Sequence, residues 1–163
     1  MLYLRTFIIY IFFTGCLGIQ GQKTGHEGKI MPSFKLLLLD SINYLNTNDI
    51  PKGKPVILFY LSPHCPYCKA QLTEIIEQIQ NLKNINIYVF STTGLDEMRK
   101  IYVQYRLDKY KNIKAGVDHT YFFWKYFKVS GVPYIAIYDK DKKLIEAYLG
   151  NISVKHIKKV AES

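Results

Sequence analysis

The chain has 163 residues, 48% of them hydrophobic, 15% aromatic and 21% charged, with a formal net charge of +9 and three cysteines. That length suits one domain with its own core, and the composition excludes a disordered or collagen-like chain. Three cysteines are too few for a disulfide scaffold or a four-cysteine zinc site, and 22 − 3 = 19 of the basic residues are lysines scattered from Lys23 to Lys159, a solvated surface and not a nucleic-acid footprint.

Residues 1–15 read as an export signal. Arg5 gives a basic start and Phe7 to Phe13 an apolar centre, shorter than the roughly 20 residues of a membrane-spanning helix. Phe13-Thr14-Gly15-Cys16 resembles the bacterial lipobox, with Phe13 where an aliphatic residue is usual. On that reading Cys16 becomes a lipid-bearing first residue. The alternatives are cleavage after Gly18 or Gly21, with Cys16 discarded, and an uncleaved anchor. Loss of residues 1–15 removes Arg5 and no acid, leaving 21 − 13 = +8. Residues 16–30 are polar and contain Gly18, Gly21, Gly25 and Gly28, the composition of a flexible tether. The folded domain is expected over residues 31–161.

Within it, Phe34 to Leu39 predicts a strand, Asp40 and Asn43 a turn, and Asn46 to Pro55 a loop. Val56 to Leu61 is a continuous apolar run of strand length, as in a strand buried on both faces. A helix follows from Pro66 to Leu82, with Leu72, Ile75, Ile76 and Ile79 at helical spacing. Ile85 to Phe90 predicts a strand, Gly94 to Leu107 a helix, and Thr120 to Phe127 a short helix. Tyr134 to Tyr138 and Leu144 to Leu149, joined by the polar turn Asp139-Lys140-Asp141-Lys142, predict a hairpin. Ser153 is a plausible N-cap for a last helix. This order implies an α/β fold, a mixed sheet flanked by helices.

Cys65-Pro66-Tyr67-Cys68 lies where the buried strand meets the long helix. Pro66 suits the first helical turn, so Cys65 falls at the N-cap, where unpaired N–H groups and the helix dipole favour a thiolate. Cys68, three residues on, shares that helix face and can close a disulfide with Cys65. A bridge closing so small a loop restrains little of the unfolded chain and is a poor structural staple. Zinc would need two further ligands. His64 is adjacent and His119 distant, and Pro66 stiffens the loop against chelation, so no metal is expected. The pair reads as a redox dithiol, with Cys65 the exposed nucleophile and Cys68 the resolving thiol.

Ser62-Pro63-His64-Cys65-Pro66-Tyr67-Cys68, a helix after it, and Gly131-Val132-Pro133 before a hairpin resemble the thioredoxin superfamily. The N-terminal extension and extra helical segment are similar to its membrane-tethered TlpA/ResA branch. The resemblance implies a thioredoxin-like sheet, a cis Pro133 facing the dithiol, and a Val132 backbone that pairs with an extended substrate. His64, Pro66 and Tyr67 would complete the substrate contacts. Two departures stand out. The buried aspartate of thioredoxins, six residues before the first cysteine, is here Phe59, leaving water or an inward-facing Glu74 to accept the Cys68 proton. The aromatic residue common before that cysteine is His64.

The implied function is exported thiol–disulfide exchange with protein thiols and disulfides, without a bound cofactor and with electrons supplied by an upstream thiol protein. The membrane would be a partner through the Cys16 lipid, and nucleic acid would not. A peroxiredoxin-like thiol peroxidase is the competing enzyme: Ser62 fits its Ser/Thr-x-x-Cys pattern, but its proline position is Leu58. A binding lipoprotein with a vestigial dithiol is the non-enzymatic alternative.

Overall fold

The structure is a computed structural model that describes residues 21–163. The export signal and Cys16 lie outside these residues. The elements are β1 (Lys35–Leu38), β2 (Tyr44–Asn46), β3 (Val56–Tyr60), α1 (Pro66–Glu77), β4 (Asn86–Ser91), α2 (Leu95–Gln104), β5 (Ile113–Val117), α3 (Phe122–Phe127), β6 (Tyr134–Tyr138), β7 (Leu144–Leu149) and α4 (Val154–Ala161). One mixed sheet holds the strands in the order β2-β1-β5-β4-β3-β6-β7.

The apolar run at Val56 explains the architecture. β3 is buried along its whole length, parallel to β4 and antiparallel to β6. Alternation sends its side chains into two cores. Ile57, Phe59 and Leu61 pack with Leu72 and Ile75 of α1, Met98 and Ile101 of α2, and Val154 and Ile157 of α4. Val56, Leu58 and Tyr60 pack on the other face with Met31, Phe34 and the α3 residues Phe123 and Phe127. This is the helix-flanked mixed sheet expected. Ser153 caps α4, its hydroxyl receiving the His156 N–H at 3.3 Å.

Several boundaries differ from expectation. β2 and β5 fall in stretches read as turn or left unassigned, because three residues in one case and Lys114 and Gly116 in the other blur any period. The helix predicted to Leu82 stops as an α-helix at Glu77, and Ile79–Leu82 continues as 3-10 turns. The helix predicted to Leu107 ends at Gln104, where Arg106 turns left-handed at φ 49°.

The largest difference concerns the expected tether. Its described part, residues 21–30, forms a strap along β7, the edge strand. The Gln22 N–H donates to Ala147 O at 2.7 Å and the Gly28 N–H to Leu144 O at 2.8 Å. In return the Leu144 N–H donates to Lys29 O at 2.9 Å. An edge strand offers unpaired backbone groups to any extended neighbour, whatever its side chains. Gly21 suits the close approach, since a Cβ there would press within 3.2 Å of the Ala147 carbonyl oxygen. Farther along, the His26 ring stacks on Tyr126 at 4.0 Å, joining the strap to α3.

Candidate functional site

Central β3 ends at Tyr60 and delivers the short Leu61–His64 connection to the start of α1. Cys65 is the N-cap in extended conformation (φ −81°, ψ 120°), and Pro66 begins the helix. The missing N–H of Pro66 costs nothing there. The Cys65 sulfur instead receives the Cys68 N–H at 3.3 Å. Helical phase turns Cys68 inward, where only 1% of it is exposed, within the core of Phe59 and Leu72. Burial pushes its thiol up to about 12, against a smaller opposing pull from the Ser62 backbone N–H. Cys65 is half-buried, so solvent reaches one sulfur of the pair and not the other.

The connection between α3 and β6 closes over Cys65. The Val132–Pro133 bond is cis, and the Cys65 thiol lies 3.7 Å from the Val132 carbonyl oxygen. Beside it runs a groove of about 560 Å³ lined by Tyr67, Gly131, Val132, Pro133, Leu149, Gly150 and Asn151. Its far wall is tied down at three points. The Gly150 N–H donates to Pro133 O at 2.9 Å, the Asn151 amide donates to Tyr67 O at 3.1 Å, and Gln71 holds Ile152. The Gln71 side chain, fully buried, accepts from the Ile152 N–H at 2.8 Å and donates to the Ile152 carbonyl at 3.0 Å.

Residues 50–163 match the family model of a thioredoxin-like domain. The chain belongs to that family. It is 26% identical over 137 residues to the methylamine utilization protein MauD of Methylophilus methylotrophus, covering 83% of this chain and 61% of that protein. An uncharacterized protein of Haemophilus influenzae is 29% identical over 115 residues, 68% of this chain and 74% of that one. The chain thus spans about three fifths of the length of this MauD relative. Among solved structures, the thioredoxin domain of a thiol-disulfide oxidoreductase from Bacteroides vulgatus superposes with a TM-score of 0.66 at 18% identity, covering 83% of this chain and 95% of that one. The exposed lipoprotein thioredoxin of Streptococcus pneumoniae gives 0.62 at 22% identity, covering 81% and 100%. These structures share the fold.

Against the thioredoxin-like pattern, the structure brings together Cys65, Cys68, Tyr67, Val132 and Pro133, and sets two other expected residues apart. Pro66 is exposed at the helix start and does not line the groove. The His64 side chain, 73% exposed, turns to α2, with Nε2 3.5 Å from Glu97 Oε2. The Lys100 ammonium at 2.6 Å, chiefly, holds the Glu97 carboxyl below its usual range. Phe59 is fully buried in a strand that contains no acid. Glu74 does not take over the missing acid's place: its Oε1 accepts the Val154 N–H at 3.0 Å and so caps α4. Leu58, at the peroxidase proline position, is fully buried within β3.

Among the described residues, no three His, Cys, Asp or Glu side chains converge as metal ligands, and no helix is long and apolar enough to cross a membrane. Sequence reasoning quoted Gly131 only within Gly131-Val132-Pro133 and did not single out Leu149, Gly150, Asn151 or Gln71 as site residues. For Gln71 a signal existed: it interrupts the inward helical face of Cys68, Leu72 and Ile75 with an amide, and a buried amide must find partners.

Proposed function

We propose that this protein is an exported thiol–disulfide oxidoreductase acting on protein thiols, held at a membrane by a lipid on Cys16. The Cys65 thiolate attacks one sulfur of a substrate disulfide, forming a mixed disulfide and releasing the other substrate sulfur as a thiolate that takes up a proton. Cys68 then gives up its proton and attacks the Cys65 sulfur. The second substrate thiol leaves, and the Cys65–Cys68 disulfide forms. Two electrons and two protons from another thiol protein restore the dithiol. The reverse sequence donates a disulfide.

The observation that carries this reading is the unequal placement of the two sulfurs. Cys65 is reachable and sits at a helix start beside the groove, while Cys68 is covered and protonated until a disulfide forms next to it. Family membership supports the chemistry. The groove supports the role of Val132, Pro133 and Tyr67 as substrate contacts, whereas His64 and Pro66 lie outside its lining. The lipoprotein among the structural neighbours accords with the Phe13-Thr14-Gly15-Cys16 reading.

Thiol trapping after equilibration in defined glutathione and dithiothreitol buffers tests the proposal. A reversible transition near the range of about −230 to −180 mV is expected from the Pro66-Tyr67 dipeptide. Cys65→Ser should abolish exchange, and Cys68→Ser should accumulate a mixed disulfide with substrate. A bond that stays oxidised below about −300 mV would identify a structural disulfide instead.

A further inference from the structure

The surface of α3 remains without a role in this chemistry. Phe123 and Phe127 of that helix are buried, whereas Tyr121 and Trp124 are 49% and 47% exposed. Lys125 and Lys128 are exposed beside them. Trp124 and Lys125 lie within the helix, Tyr121 and Lys128 are the left-handed residues that cap its two ends, and all four are exposed. Trp124 is the single tryptophan of the chain, and it is spent on the surface.

The segment that carries these residues is basic. From His119 to Tyr138 the sequence has no Asp or Glu. Asp118, just before it, is fully buried and occupied by the Thr120 hydroxyl at 2.7 Å and the Phe123 N–H at 2.9 Å. Glu27 of the strap, next to the His26 that stacks on Tyr126, is a carboxylate turned to its own strap, where it accepts the Thr24 N–H at 2.6 Å. Neither Lys125 nor Lys128 has an ion-pair partner among the described residues. Indole and phenol rings each join an apolar body to a polar tip, and lysine stems lie along apolar surface while their ammonium groups stay in water. On an exposed helix face this combination suits a lipid headgroup layer.

We propose that the α3 surface of Tyr121, Trp124, Lys125 and Lys128 docks on an anionic bilayer surface. The docking stands on these residues alone, and only its consequence for substrates rests on the dithiol reading. Lysine near such a surface strengthens docking about fivefold per residue, so the pair gives about thirtyfold. Because α3 leads directly into Gly131-Val132-Pro133, docking holds the groove close to the membrane and favours membrane-bound proteins as substrates.

The lone tryptophan makes the test local. The full chain is bound to vesicles of equal parts phosphatidylglycerol and phosphatidylcholine, with and without brominated acyl chains, and Trp124 emission is followed. Docking predicts a blue shift and bromine quenching in anionic vesicles, weak in pure phosphatidylcholine and reversed by high salt. Lys125→Glu with Lys128→Glu should lower the docked-to-free ratio at least thirtyfold while leaving the far-UV circular dichroism and disulfide exchange with a soluble substrate unchanged. Emission identical in vesicles and buffer, with full acrylamide access, overturns the proposal. So does shielding of Trp124 that appears only on adding envelope proteins, which would mark a protein partner.

Discussion

Replacing Gln71 with leucine tests whether the groove wall is held by the amide. The side chain is fully buried, and its two hydrogen bonds go to one backbone residue, Ile152, itself 4% exposed. Leucine fills similar volume, so the cost is that of leaving the Ile152 N–H and C=O unpaired. Each buried group left without a partner costs about 1–3 kcal/mol. The added apolar burial of leucine recovers about 1–2 kcal/mol, leaving a net loss of about 3 kcal/mol. Set against a typical total of about 5–15 kcal/mol, that is a large change. Urea unfolding of the oxidised protein should show a lower midpoint at unchanged slope. Amide exchange should accelerate at Gly150, Asn151 and Ile152, because freed backbone groups seek water. Gln71→Glu separates hydrogen bonding from packing: it keeps an acceptor for the Ile152 N–H but turns a second oxygen toward the Ile152 carbonyl. Burial and that carbonyl raise the carboxyl's folded pKa, so this variant is destabilised progressively as pH rises above the unfolded value near 4.3, up to the folded value. A Gln71→Leu protein within about 1 kcal/mol of the parent, with unchanged exchange at Gly150 to Ile152, would refute the reasoning.

Burial lifts the Cys68 thiol from its ordinary value near 9 to about 12. Between those values the unfolded chain has lost a proton that the folded chain keeps, so the reduced protein loses stability as pH rises through that interval and not below it. The oxidised form lacks the thiol and should lack this part of the loss, which paired urea titrations of the two redox forms will read. At neutral pH iodoacetamide should modify Cys65 in the native reduced protein and spare Cys68, with mass spectrometry as the check. Gly116→Ala places a Cβ 2.8 Å from the Leu37 carbonyl oxygen, fixed by β1–β5 pairing. It should cost about 1–3 kcal/mol and loosen the β1–β2 ribbon in hydrogen exchange. Gly131→Ala meets only the exposed tip of Leu149, at 3.3 Å. Stability should change by less than about 0.5 kcal/mol, while KM for a protein disulfide rises and the rate with a small aromatic disulfide stays the same.

What could be read from sequence divides along physical lines. β3, α1 and the β6–β7 hairpin were legible because side-chain pattern alone dictates them: an apolar run, a 3.6-residue period, two strands around a polar turn. Cys65 at the N-cap followed from Pro66 in the same way. The strap over residues 21–30 was not legible, because backbone groups of the β7 edge pair with it irrespective of its side chains. Glycine served there for close approach, and the same residue type predicts a loose tether. The resemblance puts His64 among the substrate contacts, and its pairing with Glu97, 33 residues on, has no counterpart in the local pattern. Long-range polar pairings of this kind carry no local signature.

The missing acid shows the same division at the centre of the chemistry. Sequence located the vacancy at Phe59, and the structure shows why no neighbour fills it: β3 is apolar on both faces, and Glu74 is committed to the Val154 N–H at 3.0 Å. No carboxylate among the described residues hydrogen-bonds either sulfur. On the proposed mechanism the Cys68 proton therefore passes to the departing substrate sulfur or to water admitted as the mixed disulfide opens the site. Transfer to the leaving sulfur neutralises the charge that resolution creates, so the second step depends on the substrate thiol's basicity. With a series of mixed disulfides trapped on Cys65, resolution should respond to the acidity of the leaving thiol, and Glu74→Gln should leave that response unchanged. A Glu74→Gln protein in which resolution slows and its pH profile shifts would restore Glu74 as the proton acceptor.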